Sequence, residues 1–391
     1  MPVIFATMTL VVKKGFARSN RLKHGYLLLL VLVWAGMQAV CWHYYQGPRL
    51  IGDGKNYLAC ARILVDTDKL VTGHYRQYAG YIAFIAFFLK LGLGLRTIAL
   101  AQVALSGLAA LAFYNTACQL SKQHWPSATA ITFIWISWLS VQANNPFILT
   151  ESVFTSCLVL CLWALVSLRG IRSLALLLLL LLLTTTIRPN GFVVLAGADV
   201  AGLRYLWYQK KRVWAFFGIL LSLGAGVLTI NQFIKPYHIL TELATGTILF
   251  GYEPSRIKAP ATIVPPEAAG WPVLQLVIFI KHNFTYFCQL CTVKIFYFLG
   301  YPRPWYSGLH RVWAMTVLPI VYALAALGLV RGRAVAPIRL YLATAIVLQI
   351  GIIALTVEDW DSRFSAPFMA YWLQLAVLGL YPLLQSWISV D

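Results

Sequence analysis

Long uninterrupted apolar runs limit this chain more than any other feature. Windows of 19 residues stay apolar near 26–44, 97–117, 126–144, 152–168, 172–187, 190–207, 213–234, 313–331, 339–357 and 366–386. A helix needs about 20 such residues to cross a hydrocarbon core of roughly 30 Å. In that core each segment must satisfy its own backbone N–H and C=O groups, which a helix does and an open strand does not. The sequence therefore reads as all-α, a polytopic integral membrane protein of about ten transmembrane helices. Composition removes the soluble alternatives, because 60% of the 391 residues are hydrophobic and only 11% charged, with a mean hydropathy of +0.75. A soluble fold of that make-up would lack polar groups to cover its surface.

The charge pattern orients the spans. The formal net charge is +19, which in a soluble protein would suggest nucleic acid, but most Lys and Arg residues flank apolar runs, where they set topology and meet anionic headgroups. No nucleic-acid partner is expected. The segment 78–95 is apolar, short, glycine-rich and broken by Lys90, so it is either an extra span or a helix in the outer interface. Parity decides. With 78–95 in the interface, segments 1–25, 118–125, 169–172, 204–212 and 331–339 face the cytoplasm and carry 15 Lys and Arg with no Asp or Glu. Making it a span moves later basic turns outside, against the positive-inside bias. The interfacial reading puts both termini in the cytoplasm and two long polar loops, 45–96 and 235–312, on the other side. The whole chain, 1–391, is taken as one transmembrane domain with a basic N-terminus at 1–25. Interfacial helices are expected in the first outer loop and in the later one. The order of apolar stretch, basic segment and apolar run at the N-terminus has no small-residue cleavage site, and reads as an uncleaved first span.

The seven cysteines imply no disulfide framework: Cys41, Cys118, Cys157 and Cys161 fall in apolar runs. Cys288 and Cys291 form a CxxC without the second pair or the histidines that a zinc site needs. Chemistry must come from the twelve acids and the outer basic residues, since charge at a membrane boundary costs free energy unless paired or hydrated. Asp53 lies in IGDGKNYLACARIL, where Gly52 and Gly54 permit a sharp turn and Tyr57, Ala61 and Leu64 mark a helix face. A helix cap is the simpler reading of Asp53. In NNPFILTESVF, Thr150 and Glu151 open the fourth span, again with capping as the plain alternative. In TTTIRPNGF, Arg188 turns the chain between two spans, the plain reading being a side chain snorkelling to headgroups. In VEDWDSRFSAP, Glu358, Asp359, Asp361 and Arg363 crowd a short outer connection. Asp199, near the middle of the sixth span, reads as a carboxyl hydrogen-bonded between helices or as a mark of an ion path.

Taken in order, the Asp-x-x-x-Tyr of Asp53 and Tyr57, the stretch YAGYIAFIAFFLKLGLG with Arg96, the Thr150–Glu151 pair, the Arg-Pro-Asn-Gly turn from Arg188 and the Arg-aromatic-x-x-Pro of Arg363, Phe364 and Pro367 resemble a GT-C membrane glycosyltransferase. The likeness is to the protein O-mannosyltransferase and aminoarabinose transferase group, and it runs through nearly the whole chain. It implies transfer of a sugar from a polyprenyl-phosphate donor to a glycan, lipid or protein acceptor on the non-cytoplasmic face. By this resemblance Asp53 is the catalytic base of an inverting displacement. Arg188 and Arg363 hold the donor phosphate, and Glu151 faces Asp53, orienting the acceptor or supporting a divalent cation. Tyr57, His74, Lys294, Arg303 and His310 are expected to line the cavity, although the plain reading of the stretch holding Lys294, Arg303 and His310 is an amphipathic belt on headgroups.

Departures from the family pattern leave the metal undecided. Asp53 stands alone between glycines where many relatives have adjacent acids, and no cofactor is certain, a divalent cation being the one the resemblance suggests. Phe364 stands where tyrosine is usual. Two other function classes remain on sequence: a lipid-linked sugar flippase or transporter, and an O-antigen-type polymerase or ligase. The short loops and compact length point to a bacterial inner membrane with the working face in the periplasm.

Overall fold

The structure is a computed structural model describing residues 16–167, 170–234, 239–260, 263, 271–331, 336–359 and 362–388. Asp361 and the N-terminal Lys13 and Lys14 lie outside the described residues. The chain is an all-α multi-pass membrane protein. Its helices in order are α1 Phe16–Tyr44, α2 Asp53–Thr67, α3 Ala79–Lys90, α4 Leu95–Leu120, α5 Trp125–Ile136, α6 Leu139–Gln142, α7 Thr150–Ser167, α8 Ile171–Ile187, α9 Phe192–Tyr208, α10 Arg212–Ile234, α11 Ile239–Thr245, α12 Pro272–His282, α13 Phe284–Phe298, α14 Gly308–Val330, α15 Ala336–Leu355 and α16 Met369–Ile388. Two dipeptide strands, β1 Leu249–Phe250 and β2 Glu358–Asp359, pair in parallel.

Among the described residues six helical segments are long and apolar enough to cross a membrane: His24–Tyr44, Leu95–Leu120, Thr150–Ser167, Gly308–Val330, Ala336–Leu355 and Ala366–Gln385. The run 126–144, expected as one span, is two helices. The break follows Trp135, whose carbonyl accepts a hydrogen bond from Gln142 Nε2 at 3.3 Å, a partner from outside α5 for a group at its end. The segment 78–95 contains only the 12-residue α3, about 18 Å of helix at 1.5 Å per residue, which is too short to span. The loop 235–312 is not a loose belt. Its helices α12 and α13 meet at 105°, and Ile239, Leu243, Leu249, Leu276, Phe279, Tyr286 and Leu290 form a core of their own. Asn283, between α12 and α13, is part of this packing, buried with its Nδ2 donating to the Phe279 carbonyl at 3.0 Å.

The chain forms two compact units. One comprises Met1–Leu195, Val321–Arg339 and Pro367–Asp391, the other Ala196–Ile320 and Leu340–Ala366. In the first, α7 is buried along most of its length, continuously from Thr150 to Val159, as a helix without a polar face requires. It packs on α4, α8 and α16. Polar side chains join these helices where apolar contact gives no specificity. Gln38 Nε2 donates to Gln142 Oε1 at 2.8 Å, Asn145 Nδ2 donates to Gln38 Oε1 at 2.9 Å and to Ser106 Oγ at 3.1 Å, and Ser152 Oγ donates to Asn145 Oδ1 at 2.6 Å. In the second unit, α12 packs on α10, and α13 on β2. Asp199 accepts a hydrogen bond from Ser222 on the neighbouring α10, the interhelical role that the sequence suggests.

Candidate functional site

The site in the first unit begins with backbone rather than side chains. The stretch after α1 is stitched to the segment before α7: Arg49 N–H donates to the Pro146 carbonyl at 2.9 Å and Ile148 N–H donates to the Arg49 carbonyl at 2.9 Å. Gly52, at φ 48°, then turns the chain in a region that suits glycine. A β-carbon on Gly54 would run into the Ile148 carbonyl oxygen, so only glycine lets α2 start so close to α7. The N-cap is Gly52 and Asp53 is the first helical residue, so the capping reading of Asp53 does not hold. Thr150 likewise is the first residue of α7 and not its cap.

This seam brings together four residues expected at the site. Arg188 Nη1 lies 3.4 Å from Glu151 Oε1, with side chains 5% and 0% exposed, and Thr150 Oγ1 donates to Glu151 Oε2 at 3.4 Å. Arg188 sits in extended backbone between α8 and the short 3-10 turn Pro189–Gly191. Its guanidinium carbon is 5.5 Å from the Phe154 ring centre, a cation-π contact. The snorkelling reading of Arg188 is therefore overturned: the guanidinium is buried against a carboxylate. Asp53, half-buried, and Glu151 both act on the hydroxyl of Tyr57. Burial is the main reason that Tyr57 is pushed far above the ordinary tyrosine range. Tyr78, Glu151 and Asp53 push in the same direction, and Arg188 opposes them. A phenol that stays protonated keeps its O–H as a donor beside the two carboxylates.

Around Tyr57 stands an aromatic cluster. Its ring centre is 5.9 Å from that of Tyr75, 5.1 Å from Tyr78 and 5.4 Å from Tyr81. His74 is exposed, and its ring centre lies 5.5 and 5.6 Å from those of Tyr75 and Tyr78. Tyr75 is also pushed up, by burial first and then by Asp53. Tyr81 O–H donates to Gln102 Oε1 at 2.8 Å, and Gln102 Nε2 donates to the Phe147 carbonyl at 2.7 Å, which ties the cluster back to the seam. Tyr75, Tyr78 and Tyr81 were not singled out on sequence. Their i, i+3, i+6 spacing beside a candidate acid is the signal that would have found them.

The remaining expected residues belong to the second unit. Arg363 Nη1 is 3.4 Å from Asp359 Oδ2. Lys294 is fully buried and its ammonium donates to the Thr356 carbonyl, and Arg303 is 1% exposed with its guanidinium 6.0 Å from the Tyr306 ring centre. The headgroup-belt reading fails for both, because neither charge reaches the surface. His310 stacks on Tyr306, ring centres 3.7 Å apart. Glu358, noted on sequence only as one of several acids, is fully buried. Burial pushes its carboxyl up to about 8, although Arg303 and the backbone N–H groups of Phe364 and Asp359 pull it down. Cys288 is exposed, and Cys291 donates to the Ala354 carbonyl at 3.4 Å, so the CxxC is ordinary helix. Among the described residues no three His, Cys, Asp or Glu side chains are grouped to hold a metal ion. Comparison with protein-family models and with curated proteins finds no match to this chain.

Proposed function

We propose that the protein is a membrane glycosyltransferase that moves a sugar from a polyprenyl-phosphate donor to an acceptor hydroxyl, with Asp53 as general base. The observation that carries this reading is the buried Glu151–Arg188 pair, which together with Asp53 acts electrostatically on the buried Tyr57 phenol. It joins a half-buried carboxylate, a protonated phenol and a guanidinium in one place, from three segments distant in sequence. In the proposed step the acceptor oxygen attacks the anomeric carbon while its proton passes to the Asp53 carboxylate. The bond from the anomeric carbon to the phosphate oxygen breaks, and its electron pair leaves on the polyprenyl phosphate. One displacement inverts the anomeric centre, and a positioned base contributes on the order of 10²–10⁴ in rate. Arg188 offers N–H donors to the developing phosphate charge. Glu151 is a positioning residue, since its carboxylate holds the Arg188 guanidinium and is itself fully buried. A divalent cation remains part of this reading as an optional partner of the acids.

In the same reading about ten helices cross the bilayer. The six that are long enough are joined by α5 with α6, and by α8, α9 and α10. Asp53 faces the periplasm of a bacterial inner membrane, in keeping with the basic, acid-free turns assigned to the cytoplasm.

The test compares cells lacking the gene with cells restored by wild type or by Asp53→Asn, reading lipid-linked sugars by mass spectrometry. One polyprenyl-phosphate sugar is expected to accumulate in the deletion and in Asp53→Asn, and to disappear with wild type. Full restoration by a normally folded Asp53→Asn protein overturns the proposal.

A further inference from the structure

The last turn of α1, the residues 46–48 that follow it and the first turn of α4 line an open hollow of about 450 Å³, with Trp42, His43, Gln46, Gly47, Pro48 and Arg96 at its walls. We infer that this cavity is a binding site for the phosphate ester of a membrane lipid, held chiefly by Arg96.

Position is the first argument. His24–Tyr44 and Leu95–Leu120 are both segments long enough to cross a bilayer; one ends and the other begins at the walls of this cavity. A hollow between the ends of two crossing helices lies at headgroup depth, where lipid phosphates are concentrated. Its lining is the second. Arg96 brings a permanent positive charge on the first turn of α4, where the backbone N–H groups of a helix start also favour an anion. His43 and Gln46 add polar groups, and no lining residue is acidic. Trp42, whose ring lies 3.8 Å from where a β-carbon on Gly47 would stand, supplies the flat amphipathic wall typical of interfacial aromatics. Size is the third, because a hollow of this volume has room for a phosphate ester headgroup.

The cavity is separate from the Glu151–Arg188 pair, which is buried. The two are connected by one short stretch, since Pro48 lines the cavity while Arg49 is bonded to Pro146 and Ile148 and Asp53 follows four residues later. A bound headgroup would hold the start of the short stretch that leads into Asp53. The phosphate could come from a bilayer phospholipid or from a polyprenyl phosphate carrier, and the experiment separates the two.

The detergent-solubilised full chain is titrated with phosphatidylglycerol, phosphatidylcholine and polyprenyl phosphate, and bound lipid is counted by native mass spectrometry. Arg96→Gln is expected to weaken binding of at least one anionic lipid about tenfold, the loss of one charge-assisted contact, and Arg96→Lys to recover part of it. Arg76→Gln, an exposed arginine outside the cavity, should bind as wild type. Loss confined to polyprenyl phosphate assigns the site to the carrier, and loss confined to phosphatidylglycerol, or shared by both lipids, assigns it to bilayer lipid. Unchanged anionic-lipid binding by Arg96→Gln, or an equal loss in Arg76→Gln, overturns the inference.

Discussion

Arg188 and Glu151, 37 positions apart, form an ion pair at 3.4 Å with both side chains almost wholly out of contact with solvent. Removing one partner strands the other charge in a medium that cannot hydrate it. A broken buried pair costs about 3–5 kcal/mol, far more than an exposed pair contributes. Glu151→Ala is expected to lower the thermal midpoint of the detergent-solubilised protein by several degrees, and Glu151→Ala with Arg188→Met to recover much of the loss. A double variant as unstable as the sum of the two single ones would mean that the pair is not coupled.

Gly54 is expected to tolerate no side chain. Its β-carbon would displace the Ile148 carbonyl, a backbone atom fixed by the Arg49–Ile148 hydrogen bond. Gly54→Ala should destabilise the protein by about 1–3 kcal/mol, as overpacking does. It should also open the 45–53 stretch, seen as faster amide exchange there than in α16.

Tyr81→Phe removes the 2.8 Å hydrogen bond to Gln102 Oε1 and leaves a buried amide acceptor unpaired, at a cost of roughly 1–3 kcal/mol. Tyr78→Phe is the control within the same aromatic cluster, because the Tyr78 ring contact with Tyr57 survives loss of the hydroxyl. The prediction fails if both variants melt at the same temperature as wild type.

Glu358 links stability to pH. Burial raises its carboxyl from the usual range to about 8, so the folded protein holds a proton there that the unfolded chain releases near the ordinary glutamate value. The stabilisation is fully present below that ordinary value and is lost as pH rises through about 8. Unfolding of the detergent-solubilised chain followed from pH 5 to pH 9 should show falling stability, and Glu358→Gln should flatten the curve in this range. A Gln variant with an unchanged slope would assign the dependence to another group.

Much of the helical content was readable from apolar runs alone, because a segment that cannot bond its backbone to water must close its own hydrogen bonds. Asp53 and Tyr57 could also be read, as one helical turn joins them after a glycine turn. The end of α5 could not: Ser137 and Trp138 are compatible with a continuing span, and the break involves Gln142 bonding back to the Trp135 carbonyl. Lys294 and Arg303 were misjudged for a related reason. A basic residue between aromatics looks the same whether it rests on headgroups or is folded inward, and only the Thr356 carbonyl and the Tyr306 ring distinguish the two.

From residue order alone came the membrane, the helical class and the identity of the candidate acids and bases, since hydropathy and charge belong to each segment whatever its neighbours do. Which charges meet was settled by folding. Glu151 found Arg188 where α7 packs on α8, and α2 came up to α7 because a glycine lets that helix start against the carbonyl of a distant segment. Electrostatic pairing depends on separation in space and on the exclusion of water, and neither is a property of spacing along a chain.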